Sequence, residues 1–157
     1  MDIARYYCND PQAPKPNSPT HIGANVLLQW DGQLLLERRT DCGRWGLVGG
    51  RLKKGERYTA GIAREVREET GLVLAEHEFR QLRVCDDARI AAYRDGTVWR
   101  MLIVLFSAVL REEPSLQCSR ESKELRFFRP AELDLEDVVV THRDLVAAWI
   151  EENRPDV

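Results

Sequence analysis

The chain is 157 residues long, the size of one domain with a core of its own. Its 43% hydrophobic and 31% charged residues set aside wholesale disorder and a membrane-embedded protein. With 26 acidic against 23 basic side chains, a net charge of −3, it has no positive field for a nucleic acid polymer, whereas a small polyphosphate is compatible if local cations offset the acidic balance.

In chain order, Met1-Asp2-Ile3-Ala4-Arg5 lacks the apolar segment of a signal peptide. Residues 1 to 20 hold Pro11, Pro14, Pro16 and Pro19, which exclude helix and predict an extended arm lying against the domain or a partner. Residues 21 to 157 read as one domain without repeats or linkers. Strands are predicted from His21 to Trp30 and from Gln33 to Arg39, joined by Asp31-Gly32, a dipeptide that tolerates positive φ in a tight hairpin. A glycine- and lysine-rich loop reaches Gly55, and a helix is predicted from about Glu56 to Thr70, with Gly71 as its stop.

A second hairpin is predicted at Arg94-Asp95-Gly96-Thr97, between a strand ending near Tyr93 and a run from Val98 to Leu110. The apolar stretch from Met101 to Leu110 is too short for the roughly 18 residues that cross a bilayer, so the expectation is a cytoplasmic chain with no membrane partner. A strand from Glu124 to Phe128 follows, then a helix capped by Thr141 and ending near Asn153. Cys8, Cys42, Cys85 and Cys118 form no Cys-x-x-Cys pair, and His21, His77 and His142 do not cluster, so neither a zinc site nor disulfides are expected.

The chemistry sits in the central helix. At 100° per residue, Glu65 and Glu69 stand about 40° apart and Glu68 about 60° to the other side of Glu65, so three carboxylates share one face. Like charges at this spacing repel and call for a positive partner. A solvated acidic face neutralised by Arg64 and Arg67 is the plain explanation for such a run. Hard carboxylate oxygens on a rigid element suit Mg²⁺ or Mn²⁺.

The pattern Gly50, five residues, Glu56, seven residues, Arg64-Glu65-Val66-Arg67-Glu68-Glu69-Thr70-Gly71-Leu72 resembles the Nudix box at every fixed position. The chain is thereby identified as a MutT-like member of the Nudix hydrolase family. That implies an α+β fold, a three-layer α/β/α sandwich around a mixed β-sheet. It also implies metal-binding by Glu65, Glu68 and Glu69 with the Gly49 carbonyl, and a supporting role for Gly50, Glu56 and Arg64, the last two paired.

The implied activity is that of a pyrophosphatase with magnesium or manganese. Water attacks phosphorus in a nucleoside diphosphate linked to X, a nucleoside triphosphate, nucleotide sugar or similar compound. Glu65 is the first choice of base, and a later-loop carboxylate, Glu121 or its rival Glu124, is an alternative and a further ligand. Arg39 occupies a place where such proteins contact phosphate or base. Trp45, Tyr93 and Trp99 are candidates for stacking on a base, although aromatics beside strands are more often core. Two departures stand outside the fixed positions, Val48 for proline and Lys53 for an acid, and Gly61 replaces a small helix former at a cost of about 1 kcal/mol. A second reading is a nucleotide-sensing, non-catalytic Nudix binding module. The resemblance further implies pairing as a homodimer, with the arm as a candidate contact.

Overall fold

The computed structural model describes residues 3–154. The first two residues of the N-terminal arm and the last three of the stretch 21–157 lie outside the described residues. Seven strands form one mixed sheet: β1 (Ala4–Cys8), β2 (His21–Trp30), β3 (Gln33–Arg39), β4 (Trp45–Arg51), β5 (Arg80–Tyr93), β6 (Val98–Leu110) and β7 (Ser122–Phe128). Their order is β1-β5-β6-β2-β4-β3-β7, with β2 and β6 parallel and the other pairs antiparallel. Two helices complete it, α1 (Tyr58–Thr70) and α2 (Val140–Asn153).

The central strands β2, β3, β4 and β6 carry apolar runs because a helix covers each face of the sheet there. Side chains alternate along a strand, so one face collects Val26, Leu28, Leu35, Val48, Val104 and Phe106 beneath Ile62 and Val66 of α1. The other collects Leu27, Leu34, Leu36, Leu47, Ile103 and Leu105 beneath Leu145, Val146, Trp149 and Ile150 of α2. This is the expected three-layer sandwich. Both hairpins form as read, with Asp31 at φ 50° and Gly32 at φ 71° turning β2 into β3.

Four boundaries differ from expectation, the first being that of β7, which starts at Ser122 rather than Glu124. The arm is extended, but Ala4–Cys8 also pairs along its whole length with β5, from Ala4 opposite Tyr93 to Cys8 opposite Arg89. The central helix starts at Tyr58, leaving Glu56 in the loop, where its backbone N–H donates to Lys53 O. Thr141 does not cap α2: it lies buried inside the helix, after Val139 at the cap position. Docking sets that start, since the Val139 N–H donates to Trp45 O at 2.8 Å. No helix among the described residues is long and apolar enough to cross a membrane.

One feature of the sheet positions everything that follows. β2 and β3 pair only next to their turn, at Gln29–Leu34 and Trp30–Gln33. Beyond it they diverge, and β4 enters between them, pairing with Gly23–Val26 on one side and Leu36–Arg38 on the other.

Candidate active site

Arg64 ties the glycine-rich loop to α1. Its guanidinium donates to Glu56 at 2.7 and 3.0 Å, to Glu65 and Glu68 at 3.0 Å each, and to the Arg51 carbonyl at 3.2 Å. Glu56 also accepts from the Lys53 N–H, and its hydrogen bonds to Arg64 hold the carboxyl down at about 2. Gly61 now has a reason: a β-carbon there would come within 2.2 Å of Leu52 Cδ2 and 3.0 Å of Glu56 Oε1. Its bare Cα lets the loop lie against the helix.

Glu65 and Glu69 turn inward and are 8% and 4% exposed, whereas the Glu68 side chain is half exposed. A β-carbon on Gly50 would meet Glu65 Oε2 at 2.7 Å, so the glycine makes the room which that carboxylate fills. Glu69 accepts from the Gly49 N–H at 2.9 Å. Gly49 has φ +147°, and a β-carbon on it would strike Ala24 O at 2.0 Å, so a side chain is barred by both conformation and space. The paired glycines thus let β4 pass close to β2 and let α1 bring its acids to the strand.

A fourth acid was missed by sequence reasoning. Glu37 on β3 is 4% exposed and accepts from Ser122 Oγ at 2.7 Å. A glutamate straight after three leucines, in a strand covered on both faces, was the signal available. Burial raises the pKa of Glu37, Glu65 and Glu69 alike, and like charge adds to it: Glu121 acts on all three, and Glu37 and Glu65 act on Glu69.

These residues fit a hard divalent cation in chemistry: carboxylate oxygens crowded, buried and mutually repelling, with a glycine cradle at Gly50. Among the described residues no three His, Cys, Asp or Glu side chains close on one point, because each acid faces a protein donor. Glu65 is turned to Arg64, Glu69 to Gly49 and Glu37 to Ser122.

Beside Gly49 lies a cavity of about 360 Å³ lined by Glu37, Glu69, Glu121, Gly50 and Arg39, and by Tyr6, His21, Tyr93 and Trp99 from the β1, β2, β5 and β6 side. A larger groove of about 880 Å³ between Leu72, Arg80 and Pro114 holds no box glutamate, and the chemistry places the site in the smaller one. Glu121 lines the cavity, and its rival Glu124 does not: Glu124 sits opposite Arg38 in the β3–β7 pairing.

Arg39 also lines the cavity, but its guanidinium is engaged. It donates to both Asp41 oxygens at 3.0 and 2.8 Å and to the Tyr6 hydroxyl at 2.9 Å, and that hydroxyl donates to Asp41. Burial would raise Asp41, yet the Arg39 hydrogen bonds and charge outweigh it and hold the carboxyl at about 2. Of the three aromatics considered for stacking, Tyr93 and Trp99 reach the cavity. Trp45 is core, edge-on to Phe128 at 4.9 Å and beneath Arg38. His142 is buried with Nδ1 accepting from the Leu47 N–H at 3.1 Å; burial and nearby arginines push it down to about 3, so the ring is neutral.

The NUDIX domain family model matches residues 19–149, and with this fold and box the chain belongs to the Nudix family of hydrolases, pyrophosphatases that act on phosphoanhydride bonds. Among curated relatives, the nucleoside triphosphatase NudI of Salmonella agona is 32% identical over 128 residues, 77% of this chain and 90% of that one. Among solved structures, a NUDIX hydrolase from Nitrosomonas europaea superposes with a TM-score of 0.65 at 21% identity, over 86% of this chain and 72% of that one. A bifunctional NMN adenylyltransferase/ADP ribose pyrophosphatase from Francisella tularensis, in complex with AMP and a manganese ion, gives 0.67 at 20% identity, over 88% and 43%. Both structural likenesses speak for the fold.

Proposed function

We propose that this hydrolase cleaves a phosphoanhydride bond in a nucleoside diphosphate linked to X, with a nucleoside triphosphate the first compound to try in view of its likeness to NudI. The observation that carries this reading is the burial of Glu69 at Gly49, beside Glu37 and Glu65, at the edge of a cavity large enough for a nucleotide. Buried like charge of this kind is maintained at a cost, and it clusters at functional sites.

Glu65, Glu68 and Glu69, with the Gly49 carbonyl and Glu121, are the residues that would hold Mg²⁺ or Mn²⁺. When bound, the ion neutralises phosphate charge, lowers the pKa of the attacking water and stabilises the leaving oxygen. Glu65 accepts the water proton as the new O–P bond forms and the anhydride P–O bond breaks. Its raised affinity for protons, set by burial against the opposing pull of Arg64, suits a base. Arg64 and Glu56 keep loop and helix in fixed relation, and Arg64 is the partner from which Glu65 and Glu68 would turn to hold the ion. A phosphate reaching Arg39 would share its guanidinium with Asp41.

The test is a panel of nucleoside triphosphates, nucleotide sugars and dinucleoside polyphosphates with Mg²⁺ or Mn²⁺, read by released phosphate before and after pyrophosphatase treatment. Turnover of at least one class is expected, and Glu69→Gln, which keeps an acceptor for the Gly49 N–H, should lower kcat by on the order of 10²–10³. Saturable binding with no turnover on any member would replace this reading with that of a nucleotide-sensing module.

A further inference from the structure

We propose that β1 completes a slot for the base of the substrate, with Tyr6 and Trp99 as its sides and Ala91 as its floor; this rests on the nucleotide reading above. The register carries it. Tyr6 on β1 lies opposite Ala91 on β5, and Ala91 lies opposite Trp99 on β6. Directly opposed residues stand on the same face, and adjacent strands are about 4.8 Å apart, so the two large rings rise about 10 Å apart with only a methyl group between them. A planar ring set over Ala91 is then about 5 Å from each, within the separation at which aromatic pairs attract.

The walls are held in place before any ligand arrives. His21, on the strand beyond Trp99, packs against that ring with centroids 3.5 Å apart. The exposed Arg51 lies over the same ring at 5.6 Å, and a bound base would share it. Tyr6 is fixed by its hydroxyl, between Arg39 and Asp41, and by the paired strand that carries it. Tyr6 and Trp99 line the same cavity as Glu69 and Gly49, so a base in the slot directs its phosphates toward the acids.

β1 also lies outside the stretch that the family model covers, which begins at residue 19. One side of the slot therefore comes from outside the stretch that the family model matches. The ring and the hydroxyl of Tyr6 have separable duties here. The ring faces the slot, and the hydroxyl positions Arg39.

The experiment is calorimetry in Mg²⁺ with α,β-methylene diphosphates of adenosine and uridine, whose bridge resists hydrolysis, against methylenediphosphonate, which has the bridge and no base. At least one nucleotide probe should bind about tenfold or more tighter than methylenediphosphonate. Trp99→Leu should erase about tenfold of that advantage and leave methylenediphosphonate binding unchanged, and Tyr6→Leu should erase as much relative to Tyr6→Phe, which loses the same hydroxyl but keeps the ring. Should a ring variant melt early, Ala91→Val, which crowds the floor with both rings kept, should give the same selective loss. Equal affinity for the two kinds of probe, or variants that weaken both alike, overturns the slot. No bond is cut in this assay, so its failure leaves hydrolysis standing, and a failed substrate panel leaves the slot to be judged by binding alone.

Discussion

Two arginines fasten the two helices to this molecule, and they do so on opposite terms. Arg89 on β5 has a side chain with no exposed surface and donates to Asp87, to both oxygens of Asp144 and to the Thr141 carbonyl, joining the strand to α2. Arg64 on α1 is 13% exposed and donates to Glu56, Glu65 and Glu68. None of the partners of Arg89 is a carboxylate of the candidate site. Two of the three carboxylate partners of Arg64 are those proposed to exchange it for a cation. The same guanidinium chemistry thus serves as a permanent peg on one face and as a holder of releasable groups on the other.

The largest effect that separates the two is on stability. Arg89→Met keeps an apolar stem but takes one donor from the Thr141 carbonyl, from Asp87, which Asn9 still serves, and from the part-exposed Asp144, and should cost about 2 kcal/mol, a fall in Tm of about 4–8 °C, with kcat/KM intact below the melt. An unmoved Tm would end the idea of a peg. Arg64→Ala should act the other way round, lowering kcat/KM by about 10- to 100-fold with a smaller change in Tm than Arg89→Met gives.

The raised carboxylates sharpen the contrast through pH. In chelator, Glu37 and Glu69 hold protons in the folded protein that they release on unfolding between the ordinary carboxylate value of about 4.3 and their raised folded values, about 7 for Glu37 and about 10 for Glu69. Unfolding then releases protons, so stability should fall as pH rises from about 5 to 9, and thermal melts in EDTA measure it. Mn²⁺ should restore more Tm at pH 8 than at pH 6, because it binds the deprotonated acids; the reverse order would count against a cation site. The smallest effect concerns Gly61→Ala. Helix propensity alone favours alanine by about 1 kcal/mol, but the clash with Leu52 should turn this into a net loss of stability and loosen the pairing of Glu56 with Arg64. A gain in Tm would show that the loop yields freely.

How much of this could be read in the sequence depends on how local the cause was. The hairpins came from Asp31-Gly32 and from the turn before Val98, where neighbouring residues alone decide the backbone. The pairing of Glu56 with Arg64 was implied by the resemblance to the Nudix box, and the two side chains do meet. Glu37 and Arg89 were illegible because partners 85 and 55 residues away satisfy them. Tyr6 is similar: a proline-rich arm announces that it is extended, but only the sheet edge of β5 tells it where to lie. Thr141 misled because a capping residue type sat two residues past the cap position, which Trp45 determines through Val139.

The fork in the sheet makes the two ends of the β2–β3 hairpin unequal in what they tolerate. An extra residue at the Asp31-Gly32 tip lies where the prongs are already joined, and its disturbance ends there. One extra residue in β4 would advance the wedge by about 3.3 Å and invert which side each later residue faces, carrying Gly49 away from Ala24 and Glu69. Tags, grafted loops and lineage-specific insertions therefore belong at the tip, while the length of the wedge is the dimension that this architecture holds constant.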